Sequence, residues 1–473
     1  MRKILLGTTA VVGAALLAPE MAAAQQAPTV RLGGYFRAYY GYNQQTSPHS
    51  TGLASPAQAS AATSTSVVPV LGAPPVSATG NGQFPAAIAS TRTGKHDFST
   101  DAEIHVFVNG KTANGLTYGA VVEMQFDASE GTYRSARRAI TSKTGANVDE
   151  MYAFIATPTL GQMRFGDEDG PFGGLMNSGW VTNFGSGGVY GDWESFAIRP
   201  NRTTTSPGGV GDNTKIIYLS PQFLGFDFGA SWAFNEGEGE DTGCLQDFAG
   251  PFCDRAYAAS GVSGYGRAQE SLIGRRNELQ LMARWRGNVG PVGFAVSGGG
   301  MTSTAVREIT TTGTQAKALR DPEVWQVGAQ ATAFGFTLGG TYMWGNTNFF
   351  YIPTVRGDKD MEQFFVGGSY TAGPFTIGAN AFWGQYAGSA GGAFNTTTGV
   401  LGLPNNVNAV RGQRRNAWAV GANYRVAPGL DLVAEYVRHT IHEPGVDLDN
   451  QPNNGEQSKL RTNVFLVGTR LAF

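Results

Sequence analysis

The chain has 473 residues, with 34 Lys and Arg against 36 Asp and Glu, and this near-balance excludes the basic footprint of a nucleic-acid-binding protein. Its 67 Gly, 11% aromatic and only 15% charged residues are odd for a globular enzyme of this size. Weak overall hydropathy does not exclude a membrane protein, because a β-barrel faces lipid with alternate residues only.

Residues Met1–Ala24 read as a cleaved export signal. Arg2 and Lys3 supply the positive start, Ile4–Ala18 the apolar stretch, and Ala22, Ala23 and Ala24 the small-residue site before Gln25. The barrel proper is then expected over 25–473. No later run of eighteen apolar residues exists to form a transmembrane helix.

Period-two alternation begins at Val30–Gly41, where Val30, Leu32, Gly34, Phe36, Ala38 and Tyr40 oppose Arg31, Gly33, Tyr35, Arg37 and Tyr39. Residues 43–100 then interrupt it with a long Ala/Ser/Thr/Pro-rich stretch, a composition that reads as a mobile or irregular outer loop. Alternation resumes in Asp101–Asn109 and Leu116–Phe126, and recurs at Phe226–Phe234, Trp418–Arg425 and Leu430–Tyr436. With Val148–Ala156 and Pro291–Gly299 included, the count is about sixteen strands. Nearly every charge falls on one face; Glu150 and Arg438 break the rule near strand ends. A charge on a lipid face near the bilayer midplane costs roughly 2–4 kcal/mol, so this segregation suits a lipid-facing wall.

The gaps between strands alternate in length. Lys111–Gly115, Thr157–Leu160, Pro221–Gly225, Gly287–Pro291, Ala333–Gly335, Ala372–Pro374 and Ala427–Gly429 are short. Asp127–Asn147, Glu168–Asn213, Asn235–Arg275, Met301–Pro322, Gly345–Asp360, Gln385–Arg415 and His439–Thr462 are long. Tight periplasmic turns and long extracellular loops are the rhythm of a transmembrane antiparallel β-barrel. Parity places Trp232, Trp325, Trp344, Trp383 and Trp418 at the long-loop rim, and Trp285, Phe226, Phe336, Phe375 and Phe473 at the other, as two aromatic girdles. Val464–Phe473 is the closing strand, with the terminal Phe473 at its end.

Asn213–Trp232, Leu160–Gly170, Gly115–Phe126 and Phe465–Phe473 resemble the general diffusion porins of Gram-negative bacteria, most closely the alphaproteobacterial type, and Tyr218–Phe226 is the most specific of these stretches. The resemblance spans the barrel but not the loops. It implies a sixteen-stranded barrel in the outer membrane, a homotrimer, and a third outer loop folded into the lumen.

That loop is Glu168–Asn213, which carries Glu168, Asp169, Asp192 and Glu194 among many glycines. Arg37 and Arg164 point inward at mid-height by parity, and His105 joins them as a candidate, so a charged constriction is expected between these bases and the loop acids. Arg31, Arg284 and Arg470 face inward nearer the periplasmic rim. Inward Glu103, Glu123, Asp227, Glu278, Asp431 and Glu435, added to the loop acids, slightly outnumber the bases and suggest weak cation preference.

Cys244 and Cys253 lie close together in one outer loop and are expected to form a local disulfide; two cysteines without a nearby His set make a poor metal site. Glu236, Glu238, Glu240 and Asp241, and separately Asp447, Asp449, Asn450 and Glu456, are acidic loop clusters that would suit calcium, although solvated acidic loops are commoner. His439 and His442 are placed in an outer loop. No cofactor or resident metal is expected, and no nucleophile–base set is evident. The expected partners are outer-membrane lipid and lipopolysaccharide, small hydrophilic solutes and further copies of the chain. The expected function is passive diffusion. A sugar-specific channel and an outer-membrane barrel enzyme are the competing readings: Tyr35, Tyr39 and Phe382 face inward without forming an obvious ladder, and no Ser–His pair falls at the outer rim.

Overall fold

The computed structural model describes residues 26–46, 49–51, 90–92, 94–126, 147–197, 207–235, 275–305, 320–348, 351–354, 356–388, 394–395, 400–401, 412–444 and 458–473. The export-signal stretch, most of the 43–100 insertion, Cys244, Cys253 and both acidic loop clusters lie outside the described residues.

Among these residues sixteen antiparallel strands close into one barrel. They are β1 (Gln26–Gln45), β2 (His96–Lys111), β3 (Thr117–Gln125), β4 (Asn147–Thr157), β5 (Gly161–Asp167) and β6 (Thr214–Leu219). Next come β7 (Phe226–Ala233), β8 (Arg275–Val289), β9 (Val292–Ala305), β10 (Glu323–Ala333) and β11 (Phe336–Gly345). The circuit ends with β12 (Met361–Ala372), β13 (Phe375–Tyr386), β14 (Gln413–Ala427), β15 (Leu430–His442) and β16 (Lys459–Ala472). Each strand pairs with its neighbour in the chain, and β16 pairs with β1 from Tyr35↔Ala472 to Gln45↔Thr462. Gly34 and Phe473 exchange backbone hydrogen bonds at 3.0 and 3.1 Å, so the terminal aromatic residue sits at the seam. Closure leaves the barrel no unpaired edge, which a lipid surroundings would penalise.

Several strands run further toward the long loops than alternation alone suggests. β1 continues to Gln45 and β2 begins at His96, with Tyr42 opposite His96. β15 continues through His439 and His442, which therefore stand on a strand rather than in a loop. His439 is buried inward beside Trp193, and His442 takes the opposite face by parity. The short turns include Leu224–Gly225 and Phe334–Gly335, where both residues have positive φ, the hand that matches the twist of paired strands.

The outer surface is a belt of exposed Leu281, Val327, Leu338, Val366, Ile377 and Phe465. Trp325 pairs with Trp344, Phe364 with Trp383, and Ala381 with Trp418, so the upper tryptophans form one level. Phe226 pairs with Trp285, and Phe375 with Tyr424, at the short-turn end. Such apolar area is a liability in water and a requirement in lipid.

Glu150 and Arg438, the exceptions to charge segregation noted in the sequence, have separate causes. Between β3 and β4 the register shifts from Val122↔Met151 to Met124↔Val148, a bulge that turns both Asp149 and Glu150 inward. Arg438 does face outward, but opposite Trp418 at the interfacial level, where a long cationic side chain reaches water.

Candidate functional site: a loop folded into the lumen

Residues 168–197 leave β5 at the long-loop end and turn into the barrel. Their backbone must find partners there, because a buried unpaired amide or carbonyl is costly. The inner wall supplies them strand by strand. Gln280 on β8 accepts from the amides of Phe172 and Gly173 at 3.0 and 3.1 Å. Ser297 on β9 accepts from the Ser178 amide at 2.9 Å. Asn380 on β13 accepts from the Val189 amide at 3.0 Å and donates to the Val181 carbonyl at 3.1 Å. Asn423 on β14 accepts from the Gly185 amide at 2.5 Å. Glu435 on β15 accepts from the amides of Ser186 and Gly188 at 2.9 and 2.7 Å and from the Ser186 hydroxyl at 2.7 Å. Asn43 on β1 donates to the Phe196 carbonyl at 2.5 Å. These inward polar residues hold the loop.

Close approach is possible because the wall is cut away. A Cβ at Gly328 would stand 2.0 Å from the Ser178 carbonyl oxygen, and one at Gly179 (φ +92°) would stand 2.2 Å from that of Gly340. Between loop and wall lies an apolar core. Phe172, Met176, Val189 and Trp193 pack with Met282, Met301, Met343, Phe365, Phe382, Val437, Val464 and Leu466. Trp193 is fully buried and its indole donates to the Val189 carbonyl at 3.0 Å. Each fully buried side chain of this size contributes about 1.5–3 kcal/mol relative to exposure, so docking rests on burial as well as on hydrogen bonds.

The sequence expectation did not include this core. Its trace is visible where apolar residues occupy both faces at the outer ends of strands, as in Phe364–Phe365, Ala417–Trp418–Ala419 and Val464–Phe465–Leu466. Strands covered on both faces lose their alternation.

Two expected arginines meet loop acids. Arg37, 4% exposed, donates from Nη1 to Asp192 Oδ1 at 3.0 Å and contacts Asp101 and the Tyr35 hydroxyl through Nη2. It therefore ties the far end of the loop to β1 and β2. Arg164 donates from Nη1 to Glu168 Oε2 at 2.6 Å, at the point where the loop leaves β5, and lies 5.1 Å from the Tyr152 ring centroid. Glu194 shares the turn Asp192–Phe196 and is partly buried.

Two candidates stand elsewhere. Asp169 is buried beneath the loop's start, grouped with Glu150 and Asp212 and within electrostatic reach of Lys215. The bulge that brings Glu150 inward is one reason this group assembles there. His105 meets strand carboxylates rather than loop acids: its Nε2 is 3.0 Å from Glu103 Oε2 and 3.6 Å from Glu123 Oε2.

Ion pairing also alters the charge balance expected from parity. Asp227 pairs with Arg284 and Arg286 at 2.7 and 2.9 Å, and Asp431 with Arg470 and Arg425 at 2.9 and 3.2 Å. Glu435 is enclosed by the loop. Arg286 and Arg425 are not among the inward bases named from parity, so the tally overstates the excess of acids.

The loop follows the wall from β7 round to β1 and β2. On the other side Phe107, His105, Glu123, Tyr152, Phe154 and Arg164 remain partly exposed on β2–β5. A barrel of this build, apolar outside and narrowed inside by its own loop, is an outer-membrane channel. The family model of Gram-negative porins matches residues 7–441, and the chain belongs to that family. The anion-selective porin from Comamonas acidovorans is similar in structure, with a TM-score of 0.50 at 12% identity over 94% of this chain and 100% of that one. The outer membrane channel DcaP of Acinetobacter baumannii has a TM-score of 0.50 at 10% identity, over 94% of this chain and 97% of that one. At these identities the likeness concerns the fold. Comparison with curated protein sequences gives no match. The protein is an outer-membrane porin, a water-filled channel for passive diffusion of small hydrophilic solutes and ions.

Proposed function

We propose that solutes pass between the docked loop and the wall β2–β5, with the narrowest part set by Arg37, Asp192, Arg164 and Glu168. The observation that carries this reading is the one-sided course of the loop, which follows the wall from β7 round to β1 and the outer end of β2 and, among the described residues, leaves the inward side chains from His105 on β2 to Arg164 on β5 partly exposed. The mixed polar and aromatic lining of that wall favours general diffusion over a sugar track and calls for no catalytic step. Planar-bilayer conductance should rise in proportion to salt, and neutral sugars should reduce it only by their size. Saturable block by one sugar would favour the solute-specific reading instead.

The proposal extends to partners. The five upper girdle tryptophans stand on β7, β10, β11, β13 and β14, whereas β15, β16 and β1–β6 carry none. Interfacial tryptophans mark contact with lipid, so their absence supports a homotrimer packed through the β16–β5 side. Native mass spectrometry of the detergent complex reads the copy number, and a monomer would refute it. Arg414, Arg438, Lys459 and Arg461 lie on the outer ends of β14, β15 and β16, face outward, and make no ion pair among the described residues. They suit the phosphates of lipopolysaccharide in the outer leaflet.

A further inference from the structure

The cluster His105, Glu103 and Glu123 has a geometry that ion pairing alone does not require. Glu103 and His105 are two residues apart on β2 and so share the inward face, and Glu123 on β3 stands directly opposite His105. Three donor atoms from two hydrogen-bonded strands converge: His105 Nε2 is 3.0 Å from Glu103 Oε2 and 3.6 Å from Glu123 Oε2, and the group's ligand atoms all lie within 4.8 Å of one another. A tetrahedral ion with bonds of about 2.0–2.2 Å to nitrogen and oxygen has ligand-to-ligand edges of roughly 3.3–3.5 Å. The two histidine-to-carboxylate separations bracket that value and the two carboxylates lie within 4.8 Å of each other, so side-chain rotation alone would draw the three ligands onto an ion.

The surroundings prepare the ligands. Glu103 Oε1 accepts from the Tyr35 hydroxyl at 2.5 Å and from Gln125 Nε2 at 3.1 Å, which turns Oε2 toward the histidine. Hydrogen bonds to the second oxygen of a ligating carboxylate are how proteins orient such groups. The His105 ring stands near-perpendicular to those of Tyr35 and Phe107, with centroids 6.4 and 6.0 Å away, so its plane is fixed from two sides. The neighbouring cation Arg37 is engaged by Asp101 and Asp192. The side chains of His105 and Glu123 remain 21% and 13% exposed, so a fourth position opens toward water.

We propose that His105, Glu103 and Glu123 form a lumen-wall binding site for a divalent late transition-metal ion of the zinc type. One imidazole with two carboxylates favours such an ion over calcium or magnesium, which prefer all-oxygen shells. This departs from the sequence expectation that the protein holds no metal, and its place beside the solute path rests on the reading of that path given above.

The test uses tag-free, detergent-purified full-length barrel titrated with ZnCl₂ by calorimetry, alongside His105→Gln and Glu123→Gln variants whose heat-modifiable mobility shows that they fold. One zinc per chain is expected, competed by other late divalent ions but not by calcium. Losing an orienting partner typically weakens a site 10–100-fold, so loss of a direct ligand should weaken this one by about 100-fold or more. Absence of zinc binding, or binding unchanged in both variants, overturns the site. Bilayer recordings separate it from the path. Zinc that binds wild type and lowers its current, reversed by EDTA and absent in His105→Gln, supports both. Zinc that binds through these residues without altering current supports the site and overturns only the path.

Discussion

Replacing Glu435 by Ala tests whether the loop is held as described. Its carboxylate, 2% exposed, accepts from two loop amides and one loop hydroxyl at 2.7–2.9 Å. A hydrogen bond to a charged group contributes about 1.5–3 kcal/mol, so the three together sum to roughly 5–9 kcal/mol. The net loss is smaller, because removing the carboxylate also removes its desolvation cost and lumen water can solvate the released donors. Gln280, Asn380 and Asn423 and the apolar core still hold the rest of the loop. A net weakening of about 2–4 kcal/mol raises the undocked population on the order of 30- to 1,000-fold. Single-channel recordings should then show frequent excursions to a higher conductance, with Glu435→Gln intermediate because it keeps an acceptor but loses the charge. The barrel itself should survive, since Glu435 contributes its side chain to the loop and only its backbone to the β15 ladder. A correctly folded Glu435→Ala with the conductance and noise of wild type would refute the reasoning.

Arg37→Gln removes the cation joining Asp192 and Asp101, so conductance should increase and cation preference rise; reversal potentials at about 0.01 M salt, where the Debye length is roughly 30 Å, measure it, and unchanged selectivity would place the constriction elsewhere. Arg438→Glu with Arg461→Glu should reduce lipopolysaccharide affinity about 30-fold or more, since each surface cation contributes about 1 kcal/mol toward an anionic headgroup. Phosphate co-purifying with the double variant at the wild-type level would remove that assignment.

Much of the barrel was legible in the residues alone. Strand alternation, the short and long gaps and the sorted aromatics each follow from local chemistry: a strand between lipid and water must alternate, and a turn of a few residues allows only an adjacent antiparallel partner. Parity therefore placed Arg37, Arg164 and His105 inward without knowledge of the fold. The bulge at Asp149–Glu150 could not be read this way, because one extra residue inverts parity locally and leaves no compositional mark.

The partners of these side chains were decided by tertiary structure. Asp192 meets Arg37 across 155 positions of chain, and Ser186 meets Glu435 across 249. Such pairings depend on the path of an irregular loop, which has no period to read and is set by where wall glycines admit it and wall side chains receive its amides. The same residues that parity labels as pore lining, Gln280, Asn380, Asn423 and Glu435, became its cradle because a chain inside a barrel must satisfy its backbone. Sequence determined the wall, because a wall is made by neighbours. The narrowing of the lumen required contacts between residues far apart in the chain, and only the closed barrel brings them together.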